Sequence, residues 1–266
     1  MKRNFFPFLL LAFFVFLGRS SSFAVPFEQS GLQPLAPNGV FSTFGASTLE
    51  AGKASAAVGF EMAKEPDFYR YSGHFAYAPT DSFEISASAP YVSDWEGKRS
   101  GFEDIVFGAR HRFFSEGKYG PAVAYLIEVS PKSGRKEFST DGHFGAGIIV
   151  SKRVGPVAGH LNFIYSIPGD RALENQIVLS GGLDFSAGHK FKILGEVYAK
   201  KSYYESKFDK VEARVGYRFL TTENLFTTFG VGFDLKDSTP EYRLFLSFTG
   251  VFPENKRVIK KITEEE

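Results

Sequence analysis

The sequence predicts an all-β chain whose strands form a transmembrane, antiparallel, up-and-down β-barrel of about 12 strands. Polar and apolar residues alternate in segment after segment, and a period of two is typical of strands with two different faces. Most segments run for about 10–12 residues, which is long for a soluble strand and near the length that crosses a bilayer when tilted. Turn residues separate them, and no stretch shows a convincing helical period.

The alternating segments fill the chain from residue 54 to residue 252. They are 54–63, 68–78, 83–91, 102–114, 120–130, 142–153, 156–167, 175–186, 190–200, 208–219, 225–236 and 241–252. The connections after the second, fourth, sixth, eighth and tenth segments are tight, whereas most of the others are longer and more polar. One short-turn end and one long-loop end, with an even strand number, is typical of bacterial outer-membrane barrels. Both termini should then lie on the short-turn, periplasmic side.

The charged residues indicate which strand face points inward. In 208–219 four charged residues share one face and five apolar or aromatic residues share the other. Each mid-bilayer Arg or Lys facing lipid would cost roughly 2–4 kcal/mol, so a membrane barrel must turn this charged face to its interior. The predicted lumen-lining residues are Arg70, Asp104, Arg110, Arg112, Glu128, Lys192, Glu196, Lys210, Glu212, Arg214, Arg218, Asp234 and Arg243. Their balanced signs predict cross-strand ion pairs, either beside a water path or within a filled lumen.

The large aromatic residues gather at strand ends on the opposite, apolar face. The set expected at the periplasmic end is Tyr77, Phe83, Phe113, Phe185, Phe191, Tyr217, Phe219 and Phe252. These residues come from both ascending and descending strands and fall at one level. A ring of this kind is typical of the interfacial aromatic girdle of a membrane barrel.

The two ends of the chain have a different character from the barrel segments. Residues 1–24 combine a basic start, a 14-residue apolar run at 5–18 and small residues before a cleavage site near Ala24, which predicts a secretory signal peptide. Residues 25–53 are rich in Gly, Pro, Ser and Thr and predict a linker or plug, in which 40–48 could form a strand. Residues 253–266 predict a charged periplasmic tail, and residues 54–252 form the predicted barrel.

Composition argues against several other classes of function. The 31 basic and 30 acidic residues nearly cancel, which gives no sign of a nucleic-acid partner. The chain has no Cys, which fits export, and its five His residues show no metal-ligand spacing, so neither a metal nor another cofactor is expected. Only His111 is expected to face outward from a strand, and no nucleophile lies beside it in a pattern typical of catalysis, so no catalytic residue is assigned.

Two stretches carry a resemblance to a known family. They are YAPTDSFEISASAPY at 77–91 and GFEDIVFGARHRFF at 101–114. Together they resemble the outer-membrane putative transporter family named for the meta-cleavage pathway of phenol degradation. The resemblance implies an outer-membrane barrel that passes small, often aromatic or hydrophobic, compounds.

The sequence therefore favours a passive outer-membrane channel or transporter for a small solute. Its expected partners are that solute, outer-membrane lipid and the barrel-assembly machinery. Two alternatives stay open: an outer-membrane lipid-modifying enzyme, and a closed structural or soluble periplasmic β-barrel.

Overall fold

The computed structural model describes residues 27–65, 67–236 and 240–253. The predicted signal peptide and nearly all of the predicted C-terminal tail lie outside the described residues. In the described ranges, no helix is long and apolar enough to cross a membrane.

The described residues form thirteen strands and one short 3-10 helix at Lys136–Phe138. The strands are β1 (Ala54–Lys64), β2 (Phe68–Thr80), β3 (Phe83–Trp95), β4 (Arg99–Phe102), β5 (Val106–Phe114), β6 (Ala122–Ser130), β7 (His143–Val154), β8 (Val157–Pro168), β9 (Gln176–Gly188), β10 (Phe191–Lys201), β11 (Lys210–Leu220), β12 (Leu225–Asp234) and β13 (Tyr242–Phe252).

Twelve of these strands close into one antiparallel barrel. Each pairs with the next along the chain, except that β3 pairs with β5, and β13 returns to pair with β1 along its whole length. The short strand β4 pairs only with the end of β3, so it extends the hairpin at the long-loop end without entering the barrel. The predicted all-β, up-and-down barrel of twelve strands is confirmed.

The sequence prediction of one continuous strand over 102–114 is wrong. The chain leaves the ladder at 103–105, between β4 and β5, and both Glu103 and Asp104 are 1% exposed. The Asp104 carboxylate accepts hydrogen bonds from the backbone N–H groups of Ser133, Gly134 and Thr140, at 3.0, 2.8 and 3.0 Å. These bonds tie 103–105 to a neighbouring loop instead of to β3, so Asp104 lies at the long-loop end and not on a barrel strand.

The barrel has a charged inner face and an apolar outer face. The predicted girdle residues lie on the outer face beside the short turns, and six of the eight are well exposed: Tyr77, Phe113, Phe185, Tyr217, Phe219 and Phe252. The other two, Phe83 and Phe191, are half-buried. The Phe191 ring lies 5.5 Å from the Tyr217 ring and 5.1 Å from the Phe219 ring, because β10 and β11 bring them to one level.

Residues 27–53, here called the lumen segment, run through the inside of the barrel. Phe27 packs at the long-loop end against Trp95 and Phe138, while Leu49 packs at the short-turn end with Ala76. The barrel itself begins at Ala54 and ends at Phe252 on the short-turn side, as expected, whereas the first described residue, Phe27, lies at the long-loop end. The expected strand at 40–48 is absent, since this stretch makes only an isolated bridge from Gly39 to Phe44.

Candidate functional site

The lumen segment is held on one side by side chains that accept hydrogen bonds from its backbone. Glu196 Oε2 accepts from the N–H groups of Ser42 and Thr43 at 2.8 Å each. Asn162 accepts from Phe44 N–H at 2.6 Å and donates to Phe44 C=O at 2.9 Å. Because an irregular segment inside a barrel has no sheet partner, side chains of the wall must satisfy its buried backbone groups.

Two further wall residues continue this contact toward the short-turn end. Ser151 Oγ accepts from Ala46 N–H at 2.8 Å, and Glu84 accepts from Leu49 N–H at 3.0 Å. The acceptors Ser151, Asn162 and Glu196 lie on β7, β8 and β10, and we call this part of the barrel the bonded wall. On this side the space between the lumen segment and the barrel is small, a cavity of about 40 Å³ lined by Ile164, Val178 and Tyr198.

Arginines of the inner face bind carbonyl groups of the lumen segment. Arg218 donates to Gly39 C=O at 2.9 Å, and Arg110 donates to Gly45 C=O at 2.8 Å. Arg70 donates to Glu28 C=O at 2.5 Å. A guanidinium carries five donors in a fixed fork, so one arginine can bind both a carboxylate and a carbonyl. Arg110 does so with Glu84, whose carboxylate lies 2.7 Å away.

The predicted cross-strand ion pairs are present on the inner face. Arg214 on β11 pairs with Glu196 on β10 at 2.9 Å and with Glu212 on its own strand at 2.7 Å. Arg70 on β2 pairs with Glu61 on β1 at 2.7 Å. All of these side chains are at least 85% buried, so each charge is compensated where water is scarce.

Near the long-loop end, three cations converge on one carboxylate of the lumen segment. Glu28 Oε1 lies 3.1 Å from Lys200 Nζ. Glu28 Oε2 lies 2.5 Å from Lys210 Nζ and 2.6 Å from Arg243. Arg243 also reaches Glu61 at 2.5 Å. We call Lys200, Lys210 and Arg243 the cation triad.

A cavity of about 120 Å³ separates the lumen segment from the opposite side of the barrel. Small wall residues form a continuous row there, because Gly59 on β1 pairs with Ser72 on β2 and with Ser247 on β13, which pairs with Thr228 on β12. Together with Ala57, we call these residues the open wall. Larger wall side chains, such as His74, Arg218 and Phe245, line the cavity around this row. The cavity begins beside the cation triad, at Arg243, and the lumen segment contributes apolar groups to it, including those of Leu35, Val40 and Phe41.

The structure places the thirteen predicted lumen residues in three groups. Ten are buried, namely Arg70, Asp104, Arg110, Glu128, Glu196, Lys210, Glu212, Arg214, Arg218 and Arg243. Lys192 is half-buried and pairs with Asp184 at 3.0 Å, while Arg112 lies at the short-turn rim and donates to Asp81 C=O. Asp234 lies partly exposed at the end of β12.

Several residues of this site did not figure among those selected from the sequence. Lys200 and Glu196 lie an even number of positions apart on β10, so their side chains point to the same face. The alternation of polar and apolar residues could therefore have identified Lys200. Asn162 and Ser151 follow from the same rule, but uncharged side chains on an inner face do not stand out. Glu28 could not be identified in this way, because the lumen segment shows no regular alternation of polar and apolar residues.

One arrangement combines groups that are also found in hydrolases. Ser151 Oγ lies 2.8 Å from His160 Nδ1, and His160 Nε2 lies 3.6 Å from Asp184. The Ser151 oxygen already accepts from Ala46 N–H, and Asp184 is paired with Lys192. Of the three residues, Ser151 binds the lumen segment directly, His160 binds Ser151, and Asp184 is paired with cations of the barrel wall. His111, expected on the outer face, packs its ring 5.3 Å from that of Tyr125.

No protein-family model matches the chain, and no curated protein matches it. Several solved structures do match the chain. An outer membrane channel from Pseudomonas putida F1 superposes with a TM-score of 0.64 at 12% identity, over 78% of this chain and 98% of that one. The KdgM porin gives 0.58 at 11% identity over 75% and 99%, and the NanC porin gives 0.53 at 9% over 74% and 98%. At these identities the likeness establishes a shared barrel fold.

Proposed function

We propose that this chain is an outer-membrane channel that passes a small solute along the open wall. The observation that carries the proposal is the cavity between the lumen segment and the row of small residues on four adjoining strands. Larger inward side chains at these positions would fill the space, as they do elsewhere around the lumen. The lumen segment acts as a plug that narrows the barrel instead of closing it.

The outer face supports a location in a bilayer. Strands of 9–13 residues around the barrel carry exposed apolar side chains, and aromatic residues gather beside the short turns. The structures that share the fold include an outer membrane channel and two porins. We infer that the leader is cleaved near Ala24 and that the barrel-assembly machinery inserts the barrel into outer-membrane lipid.

The lining of the cavity favours a solute with an apolar body. The lumen segment offers Leu35, Val40 and Phe41, and Phe245 contributes an inward ring from β13. A dry apolar cavity of roughly 150 Å³ is enough to bind benzene, so a space of about 120 Å³ fits a molecule near that size. The resemblance of 77–114 to the family named for phenol degradation agrees with such a solute.

Ion conductance tests the proposal directly. The purified full chain, in a planar bilayer, should show small steady currents, and deletion of residues 27–49 should increase the single-channel conductance several-fold, because the lumen would then be open. Heat-modifiable gel migration shows whether the deletion variant is folded. Absence of conductance in both folded proteins would contradict a channel.

A further inference from the structure

Glu28 makes an unusual contact, because a carboxylate of the lumen segment supplies the counter-charge for cations of the barrel. Among the described residues, Glu28 is the only carboxylate in ion-pair contact with Lys200 or Lys210. Lys200 is 2% exposed and Lys210 is 8% exposed, so neither ammonium is compensated by bulk water. Buried cations of this kind require an anionic partner at the same place.

The remaining inner-face cations are paired differently. Arg70, Arg110 and Arg214 each contact a carboxylate that belongs to the barrel itself or to its loops. Arg243 has partners of both kinds, because it reaches Glu61 and Glu212 as well as Glu28. If the first residues of the lumen segment moved aside, the cation triad would therefore lose its carboxylate while most of the wall stayed neutral.

We propose that the cation triad is a recognition site for the carboxylate of a small organic monocarboxylate, and that Glu28 occupies this site as an internal competitor. The inference rests on the proposed channel function and specifies its substrate class. Three donors around two carboxylate oxygens match a carboxylate better than a spherical ion, since Lys200 binds one oxygen while Lys210 and Arg243 bind the other.

The position of the cavity defines the rest of the molecule. Glu28 and Arg243 both line it, so a solute that binds the triad through its carboxylate can extend its carbon body into the same space. That body meets the rings of Phe41 and Phe245, which lie 5.7 Å apart. The site would take an anion with a compact apolar body of about the size of a benzene ring.

Displacement of Glu28 requires residues 27–30 to give up their contacts at the long-loop end, such as Ser30 N–H to Glu103 and Arg70 to Glu28 C=O, but does not require the rest of the segment to move. The bonds at Ser42, Thr43, Phe44, Ala46 and Leu49 lie further along the segment and involve other wall residues. Those contacts can persist while residues 27–30 give way. The barrel can thus admit the anion at the long-loop end and keep the segment on the bonded wall.

Benzoate binding to the detergent-solubilised full chain tests the site, with titration calorimetry as the readout. Glu28→Gln removes the internal carboxylate, so we expect the Kd for benzoate to fall about tenfold or more relative to the unsubstituted chain. Adding Lys210→Gln to Glu28→Gln should reverse that gain. Adding Lys190→Gln, which removes the same charge from an exposed turn, should leave it unchanged. An unchanged Kd in Glu28→Gln would overturn the proposal.

Two further ligands define the specificity of the site. Benzyl alcohol has a similar body without the carboxylate and should not gain affinity in Glu28→Gln. Inorganic phosphate supplies the charge without the body, and it should bind more weakly than benzoate. Equal gains for benzyl alcohol, or phosphate binding as tight as that of benzoate, would contradict a monocarboxylate site.

A labelling experiment keeps the proposal testable if Glu28→Gln does not fold. The chain has no Cys, so Ser30→Cys gives one thiol beside Glu28 in an otherwise native protein. Benzoate should increase the rate at which a maleimide labels this thiol, and an unchanged rate would contradict displacement of Glu28. Benzoate binding without conductance would contradict the channel function but support the carboxylate site. Conductance without benzoate binding would support the channel function but contradict the carboxylate site.

Discussion

The bonded wall and the open wall face each other across the same lumen but treat the lumen segment in opposite ways. On the bonded wall, Ser151, Asn162 and Glu196 each bind backbone groups of the segment at 2.6–2.9 Å. On the open wall, small residues such as Gly59 and Ser247 leave a cavity of about 120 Å³. Inward side chains thus have two separate roles: polar side chains of the bonded wall fix the backbone of the segment, and small side chains of the open wall leave space beside it.

Among substitutions that weaken the contacts of the bonded wall, we expect the largest loss of stability at Glu196. Glu196→Ala leaves the N–H groups of Ser42 and Thr43 without their acceptor and removes one carboxylate from Arg214. Removing one partner of a buried ion pair typically costs about 3–5 kcal/mol, so the free energy of unfolding in urea should fall by about that amount. Glu196→Gln is the matched control. It keeps an acceptor of the same shape and should cost clearly less, and equal losses would mean that charge alone matters.

A smaller effect is expected at Asn162. Asn162→Ala removes both hydrogen bonds to Phe44 and leaves a buried N–H and C=O unsatisfied, at a cost of about 1–3 kcal/mol. Because the barrel ladder is untouched, the loss should appear as faster hydrogen exchange in 42–46 and not in the strands. Phe163→Ala changes the outward neighbour on β8 and serves as control. Uniformly faster exchange throughout the barrel would show that the segment and the wall do not open separately.

On the open wall we expect a change of transport with little change of stability. Ala57→Leu adds a branched side chain to the cavity and should lower the conductance about twofold, because the space beside the segment narrows. Ala56→Leu places the same side chain one residue away, on the exposed outer face, and should leave the conductance unchanged. A conductance insensitive to both changes would place the path elsewhere.

The smallest expected effect is the pH dependence of the stability that Asp104 gives to the long-loop end. Burial by itself would raise the pKa of Asp104, but the backbone N–H groups of Gly134 and Ser133 and the Ser139 hydroxyl hold that pKa below its usual range. As the pH falls, Asp104 is therefore protonated in the unfolded state before it is protonated in the folded state. The stabilisation from Asp104 is complete above its unfolded pKa, about 4, and is lost as the pH falls through the lower folded pKa.

Limited proteolysis of the loops checks this sign. Cleavage within 131–142 should accelerate below about pH 4 in the unsubstituted chain. Asp104→Asn cannot ionise, so its cleavage should be faster at neutral pH and should not respond to this titration. Acceleration on raising the pH above neutrality would contradict the assignment.

The barrel could be predicted from the sequence because polar and apolar residues alternate regularly along each of its strands. In 208–219 the alternation by itself assigns Lys210, Glu212, Arg214 and Arg218 to one face, and all four are buried on the inner face. Repeated over twelve strands, this rule gives the strand number and the side of each residue. It fails at 103–105, where Asp104 is bound by a distant loop and local alternation no longer decides the path.

The lumen segment could not be predicted in the same way. Its backbone follows no repeating geometry, and its partners lie up to 215 residues away along the chain, as for Glu28 and Arg243. No local pattern in 25–53 indicates that Glu28 meets three cations. The sequence raised the question of whether the charges line a water path or brace a filled lumen, and the contacts to Ser42 and Gly39 show that Arg214 and Arg218 brace the segment.

The central claim is that solute passes along the open wall while the lumen segment stays on the bonded wall. The most direct test is a disulfide between the segment and that wall, formed in Ala46→Cys/Ser151→Cys, where Ala46 N–H and Ser151 Oγ lie 2.8 Å apart. The account predicts that the oxidised protein conducts as well as the same protein after reduction. Loss of conductance on oxidation, with recovery on reduction, would contradict it, because the segment would then have to leave the wall for anything to pass.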